Sequence, residues 1–418
     1  MGKGRALRVL LAHKFYETRG GAEVFFFETG RTLEQHGHEV AYFATSADPS
    51  KADGFRTFLI SPPDYERGNF IGRLSQIGRL IYSRSVKEQF AEAIRTFKPD
   101  LVHVFGIHVH LTPSILAAAH EAAVPILMSC NDYKHICPNY KLYHHGHICM
   151  DCKGGKFYSA TVNRCCKDSV TVSVASSVEA YAHDLMGVYD LVHTFLFSSQ
   201  FMAHETQEFW PNRSFRWRQL RNPFDSTKFR LETAYEDYAL FVGRLIEEKG
   251  VDVLLDAASL VPSVRVKIVG TGPEEGALRA QAARLELTNV EFLGAVWGDD
   301  LDMLLSRSRF LIVPSVWHEN YPYVINQSFA FGKPVIASDR GGMPELVDHD
   351  RTGLVYDSGD RAALARAMQA LWDDPDRTVR LGRAAKEYSD ATFNDERFLE
   401  TLLGIYSEVL DAGVGTGG

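Results

Sequence analysis

At 418 residues the chain exceeds what one hydrophobic core usually organises, so two domains of about 200 residues each are expected. A net charge of −8, from 45 Lys+Arg against 53 Asp+Glu, excludes a generic nucleic-acid binder, which would need a positive surface to meet phosphates. The first apolar run, Val9–Ala12, is too short for a signal-peptide core, and no run approaches the roughly 18 residues of a membrane span. The expected setting is therefore cytoplasmic, where thiols stay reduced, and the 6 cysteines are expected as metal ligands or core residues rather than disulfides.

In chain order, Leu7–Ala12 is an apolar strand, followed by the turn Arg19-Gly20-Gly21 and a helix over residues 22–36. A strand, a glycine turn and a helix start form a phosphate-site geometry, and a plain tight turn is the alternative. A second strand covers Val40–Ala44. Residues 67–87 carry five basic residues and no acid, with Phe70, Ile71, Leu74, Ile77, Leu80 and Ile81 near a 3.6-residue period. This predicts an amphipathic helix that either packs on a core or lies on an anionic membrane surface. Strands over Asp100–Phe105 and Val124–Ser129 end in His108 and His110, and in Asn131 and Asp132. Polar groups after successive parallel strands gather at one sheet edge, where such folds bind ligands.

Residues 134–166 interrupt the α/β rhythm. The spacing of Cys137, Cys149, Cys152 and Cys165 fits a four-thiolate zinc site, with Cys166 an adjacent alternative to Cys165 and ordinary buried cysteines the other reading. A metal would explain an insertion with few aliphatic residues for a core of its own.

Val192–Ser198 returns to strand character. Tyr238–Val242 opens a second α/β series and leads into Gly243-Arg244-Leu245-Ile246-Glu247-Glu248-Lys249-Gly250. Here Gly243 lets backbone approach a ligand, while Arg244, as a fork, and Lys249, as a point charge, can converge on a diphosphate. Val264–Val269 runs into the tight loop Gly270-Thr271-Gly272, and Val290–Gly294 precedes Ala295-Val296. Strands over Ser308–Val313 and Pro334–Ala337 flank a helix over residues 324–331 that Gly332 stops. Glu319 lies in the loop ahead of that helix, with Asn320, Tyr321 and Pro322. A carboxylate at a strand's carboxyl end beside a helix start is a natural partner for sugar hydroxyls.

These motifs together resemble the retaining GT-B glycosyltransferases of family four. In that family two glutamates flank seven residues, followed by G-x-P-V and G-G-x-P-E. This chain has Glu319, seven residues, Gln327, then Gly332-Lys333-Pro334-Val335 and Gly341-Gly342-Met343-Pro344-Glu345. Gly37-His38-Glu39-Val40 is similar to the family's G-H-E-V, residues 243–250 match G-R-L-x-x-x-K-G, and Leu220–Asp225 resembles its crossover segment. The resemblance implies an α/β fold of two Rossmann-like, doubly wound domains facing a cleft. The cysteine insertion lies in the first. Domain limits follow at residues 1–221, 222–392 and 393–418, the last a helix crossing back to the first domain with a flexible tail.

It also implies a retaining, metal-independent transfer of sugar from a nucleotide diphosphate-sugar to a hydroxyl acceptor. No further cofactor is required, a structural zinc aside. The acceptor would be a sugar, a lipid-linked compound or a small molecule, with peripheral contact at the membrane's inner face an added expectation. Arg244, Lys249 and Glu319 would carry the chemistry. Gly20, Gly21, Asn131, Gly243, Gly270, Gly272, Val296, Asn320, Tyr321, Pro322 and Gln327 would line the donor. Gln327 stands where the family has its ribose-binding glutamate, and Asn131 where members often have histidine. An impaired nucleotide-sugar-binding scaffold, an epimerase or a phosphorylase of the same fold are the alternatives.

Overall fold

A computed structural model describes residues 5–18, 20–62, 78 and 81–414. Its strands, in chain order, are β1 Arg8–His13, β2 Glu39–Thr45, β3 Thr57–Ile60, β4 Leu101–Val104, β5 Ile126–Cys130, β6 Tyr143–His144, β7 His147–Ile148, β8 Thr194–Phe197, β9 Trp217–Gln219, β10 Ala239–Val242, β11 Val266–Val269, β12 Val290–Gly294, β13 Leu311–Val313, β14 Val335–Ser338 and β15 Gly353–Tyr356. Most of the expected strands are recovered to within one to three residues.

The strands form a sheet in the order β3-β2-β1-β4-β5-β8-β9, a second in the order β12-β11-β10-β13-β14-β15, and the hairpin β6-β7. The pairs in both larger sheets are parallel and the hairpin is antiparallel. The sequence explains this. Strands such as β4 and β14 are buried at every position, and a parallel strand covered by helices on both faces must be apolar along its whole length rather than alternately. In each sheet the strand order reverses between the first strand and its later neighbour, β1 with β4 and β10 with β13. Those reversals open the crevices where doubly wound sheets take ligands.

Contacts divide the chain into two units, Met1–Leu142 with Cys149–Pro223 and Phe398–Gly418, and Tyr143–Ile148 with Phe224–Arg397. In the first unit, Phe398, Leu402, Ile405 and Tyr406 of the last helix, Asp395–Val414, are buried in one core with Val9, Phe25 and Phe105. The Tyr406 hydroxyl lies 2.8 Å from Nδ1 of His103, whose Nε2 is 2.8 Å from Ser129 Oγ. This chain of hydrogen bonds satisfies a fully buried imidazole on β4, so the helix is fixed by polar geometry as well as by apolar area.

One local expectation is corrected. Most of residues 67–87 lies outside the described residues, but a single helix running to Lys87 is not what forms: Ser83 is extended, and its hydroxyl accepts from the Val86 amide. It thereby caps a separate helix, Arg84–Phe97, because a serine side chain satisfies an otherwise orphaned first-turn amide. Asp299 and Asp300 open the helix Asp299–Arg307, where acidic groups complement the helix dipole.

Candidate functional site

The second unit's crevice is built from three loops laced together by their backbones. After β10, Gly243 N donates to Val269 O at 3.0 Å and Leu245 N to Thr271 O at 2.9 Å, while Gly270 N donates to Gly294 O at 2.7 Å. These bonds continue the sheet's pairing beyond its strands and fix the Gly243–Gly250 loop against Gly270-Thr271-Gly272. A 3₁₀ turn, Glu247–Lys249, follows. Gly250 then takes a left-handed conformation at the start of the helix Val251–Leu260 (φ +65°). A side chain there would put Cβ 2.2 Å from Pro314 O, so only glycine lets this turn seat on the end of β13. Val316 N donates to Glu248 O at 3.0 Å and closes the contact.

Opposite, Gly341 (φ +63°) approaches the Glu319 backbone so closely that a Cβ would lie 2.1 Å from Glu319 O, and Gly342 N donates to that oxygen at 2.7 Å. The glycine pair thus fixes the peptide that carries the candidate carboxylate. Glu319 is 5% exposed. Lys249 Nζ donates to its Oε1 at 2.6 Å and Ser315 Oγ donates to the same oxygen at 2.7 Å. Burial works to raise the Glu319 pKa, but the Lys249 charge and the hydrogen bonds from Lys249 and Ser315 outweigh it and hold the carboxyl below its ordinary value. The Lys249 ammonium also lies 5.9 Å from the centre of the Trp317 ring.

The other expected residues fall around this pair. Asn320 and Tyr321 are buried beside Glu319. Pro322 is extended at the cap of the helix Tyr323–Ala330, which carries Gln327 half-buried, and Gly332 (φ +72°) follows its end. Val296 is half-buried after β12. Arg244 reaches solvent from the β10 loop, so the structure joins Lys249, not Arg244, to the carboxylate. Sequence reasoning missed Ser315, whose signal was a hydroxyl two residues beyond β13. It also missed Tyr143, whose hydroxyl donates to Glu247 Oε1 at 3.3 Å, next to the turn bearing Lys249. His318, another neighbour, is pushed down to about 4 chiefly by burial, with Arg340 adding to the effect.

In the first unit, Gly20 caps the helix Gly21–Gln35 at the carboxyl edge of its sheet. His13, at the end of β1, is fully buried, with Nε2 3.7 Å from Glu23 Oε1. Burial, only partly opposed by a backbone hydrogen bond to Phe15, lowers its pKa to about 4. This residue was also missed, because a polar end of an apolar run reads as part of the strand. Beyond β5, the amide nitrogen and oxygen of Asn131 are buried without a hydrogen-bond partner, which a structure tolerates rarely outside ligand sites. His108 instead pairs with the Tyr189 hydroxyl at 2.9 Å, and Asp132 accepts from Lys134 N at 3.0 Å; both serve the local fold.

With this geometry in place, comparison with known proteins is informative. The model described as "Glycosyltransferase Family 4" matches residues 19–225, and that described as "Glycosyl transferases group 1" matches residues 225–388. The D-rhamnosyltransferase WbpZ of Pseudomonas aeruginosa is 38% identical over 151 residues, which is 36% of this chain and 39% of that protein. The O-antigen chain mannosyltransferase C of Escherichia coli is 29% identical over 185 residues, 43% of this chain and 49% of that one. The matched part thus spans less than half of either relative. Among solved structures, a sucrose-phosphate synthase from Thermosynechococcus elongatus superposes with a TM-score of 0.71 at 19% identity, covering 97% of this chain and 100% of its own. HepE of Anabaena, solved with UDP-glucose, gives 0.67 at 17% identity, covering 96% and 100%. At these identities the two structures establish the fold.

The pairing of Lys249 with Glu319 makes a prediction of sign. Lys249→Met leaves a buried carboxylate without its counter-charge and should cost about 3 kcal/mol. The double variant Lys249→Met/Glu319→Gln removes both charges and should recover most of that loss in urea unfolding. A double variant no more stable than the single one would contradict the pairing.

Proposed function

Because the chain belongs to the GT-B glycosyltransferases of family four, we propose that it moves a sugar from a nucleotide diphosphate-sugar to a hydroxyl acceptor, with retention, in glycan biosynthesis. The observation that carries this reading is the buried Glu319, held as a carboxylate by Lys249 and Ser315 at the end of β13. A carboxylate oxygen fixed in this way is oriented before the ligand arrives, so its remaining acceptor positions can select sugar hydroxyls.

The departing nucleoside diphosphate gains negative charge as the glycosidic bond breaks. Arg244, exposed on the β10 loop, is assigned to meet it as a planar fork, with Lys249 as a second cation and the start of the helix Val251–Leu260 adding its dipole. Gly243, Gly270 and Gly272 let the backbone come close, the turn after β12 with Val296 takes the base, and Gln327 takes the ribose by its amide. Asn320, Tyr321 and Pro322 complete the wall next to Glu319. The first unit offers the same class of ligand its helix start at Gly20 and Gly21, and Asn131. With these fixed cations the reaction is read as independent of added magnesium or manganese.

A lipid-linked acceptor and peripheral membrane contact belong to the same proposal. Support comes from the helix Val170–Leu185, on which Val170, Val174, Val178, Tyr181 and Leu185 stay exposed, the last at 87%. Their spacing places them on one face, and a soluble helix normally turns such a face inward. Arg164 and Lys167 are exposed ahead of it. At its far end Arg213 neutralises Asp184 at 3.1 Å and Asp190 at 2.9 Å, leaving the surface suited to anionic lipid. His183 Nε2 lies 2.8 Å from Ile81 O, tying this helix to the end of the basic segment 67–87. No helix among the described residues is long and apolar enough to cross a membrane.

A panel of UDP-, GDP- and ADP-sugars tests the transfer directly: one donor should release its nucleoside diphosphate, and Arg244→Ala should lose about 2–4 kcal/mol in kcat/KM with the fold intact. Binding without turnover would favour a scaffold, and an Arg244→Ala variant within a few-fold of wild type would remove the phosphate assignment. For the membrane contact, sedimentation with anionic vesicles should weaken as salt rises and should be lost in Val178→Glu/Leu185→Glu. Equal sedimentation of this variant and the wild type would rule out the exposed face as the lipid contact.

A further inference from the structure

A cavity of about 340 Å³ opens in the first unit between the starts of β8 and β9 and the last turns of the helix Asp395–Val414. That volume lies within the range of small-molecule sites. His193, Thr194 and Arg216 stand at the amino ends of parallel strands, whereas Asn131 follows the carboxyl end of one, so the cavity belongs to the sheet edge away from Asn131. None of its residues belongs to the donor crevice.

The strand period decides what lines it. Phe195 N donates to Arg216 O at 2.9 Å, which extends the β8-β9 ladder to Arg216. Side chains alternate along a strand, so Arg216 and Arg218 share one face, while Trp217 between them packs on the first unit's core. The two arginines differ in their partners. Arg218 Nε donates to Glu408 Oε2 at 2.9 Å, and a second guanidinium nitrogen lies 2.8 Å from the same oxygen. Among the described residues, Arg216 has no ion pair and no side-chain hydrogen bond.

His193 is fixed on another wall. Its amide donates to Ile126 O at 2.9 Å, and its Nδ1 accepts from Ile126 N at 3.1 Å. A neutral ring whose Nδ1 accepts carries its proton on Nε2. Burial, with the His120 and Arg216 charges adding to it, holds the His193 pKa down, so the ring is neutral at pH 7 and Nε2 is a donor. Two guanidinium groups against one carboxylate leave the cavity with an excess positive charge, and Thr194, Val409 and Ala412 complete its lining.

We propose that this cavity binds a small phosphomonoester, with the phosphate on the Arg216 fork and the His193 Nε2–H and the rest of the molecule against Thr194, Val409 and Ala412. A tetrahedral dianion can use donors that arrive from different strands, a planar fork beside β9 and a single N–H at the start of β8, better than a flat carboxylate can. The volume is several times what a phosphate group fills, which leaves room for a body such as a sugar ring. A ligand placed here touches the edge strand β9 and the last helix at once, so its binding should stabilise the fold.

Calorimetric titration of glucose 1-phosphate and of inorganic phosphate into the full chain tests the site. Wild type should bind the ester more tightly than inorganic phosphate, and its melting temperature should rise with ester concentration. Arg216→Gln should weaken ester binding by about tenfold or more; the side chain is exposed, so the fold should persist. Glu408→Gln, which releases Arg218, should tighten binding. Arg244→Ala, in the second unit, should leave it unchanged, which separates this site from the donor crevice. The proposal is overturned by wild type that binds no ester at millimolar concentration, by equal ester affinity in wild type and Arg216→Gln, by loss of binding in Arg244→Ala, by weaker binding in Glu408→Gln, or by inorganic phosphate binding as tightly as the ester.

Discussion

The second unit's crevice depends on one buried ion pair. Lys249 and Glu319 come from different loops, and each loop is seated by a glycine in left-handed backbone, Gly250 against Pro314 and Gly341 against Glu319 itself. Neither half is stable alone, since a carboxylate with 5% exposure needs its counter-charge. The Ser315 hydroxyl and the Gly342 amide hold the Glu319 side chain and peptide from either end. The pair therefore acts on fold and site together: it locks the β10 and β13 loops, and it presents a carboxylate whose orientation is set before any ligand binds.

Much of this was legible in the sequence because parallel strands buried on both faces leave an unmistakable mark. Runs such as Leu311–Val313 and Val335–Ala337 are apolar without alternation. The glycines and charges that follow them occur at strand ends, where doubly wound sheets place ligands. What escaped detection lacked such a mark. β3 and β9 are edge strands of four and three residues, too short and mixed for a periodicity. Ser315 and His13 sit where a strand passes into a loop, and their roles depend on the carboxylates of Glu319 and Glu23, which no strand or helix period singles out as partners. The basic segment 67–87 was read as one helix because a hydrophobic period does not reveal a serine cap within it.

The same distinction applies to the cysteine reading. Spacing alone leaves Cys165 and Cys166 equivalent. In the structure the two thiols hydrogen-bond to each other, the Cys165 carbonyl is held by Asn139, and the Cys166 sulfur also meets Ser176 and Ser173. The segment is also not independent of the domain that carries it: Ile136, Leu142, Phe157 and Ala160 join the first unit's main core. This apolar packing holds a stretch with little regular secondary structure.

The account's central claim is that the Lys249–Glu319 pair is part of a nucleotide-sugar site and more than a structural lock. Calorimetric titration of nucleoside diphosphate and nucleotide-sugar into wild type and into the charge-free Lys249→Met/Glu319→Gln variant tests it most directly. The account predicts at least a tenfold weaker affinity for the nucleotide-sugar in a variant that remains folded, about 1.4 kcal/mol or more. Unchanged affinity for both ligands in that folded variant would contradict it.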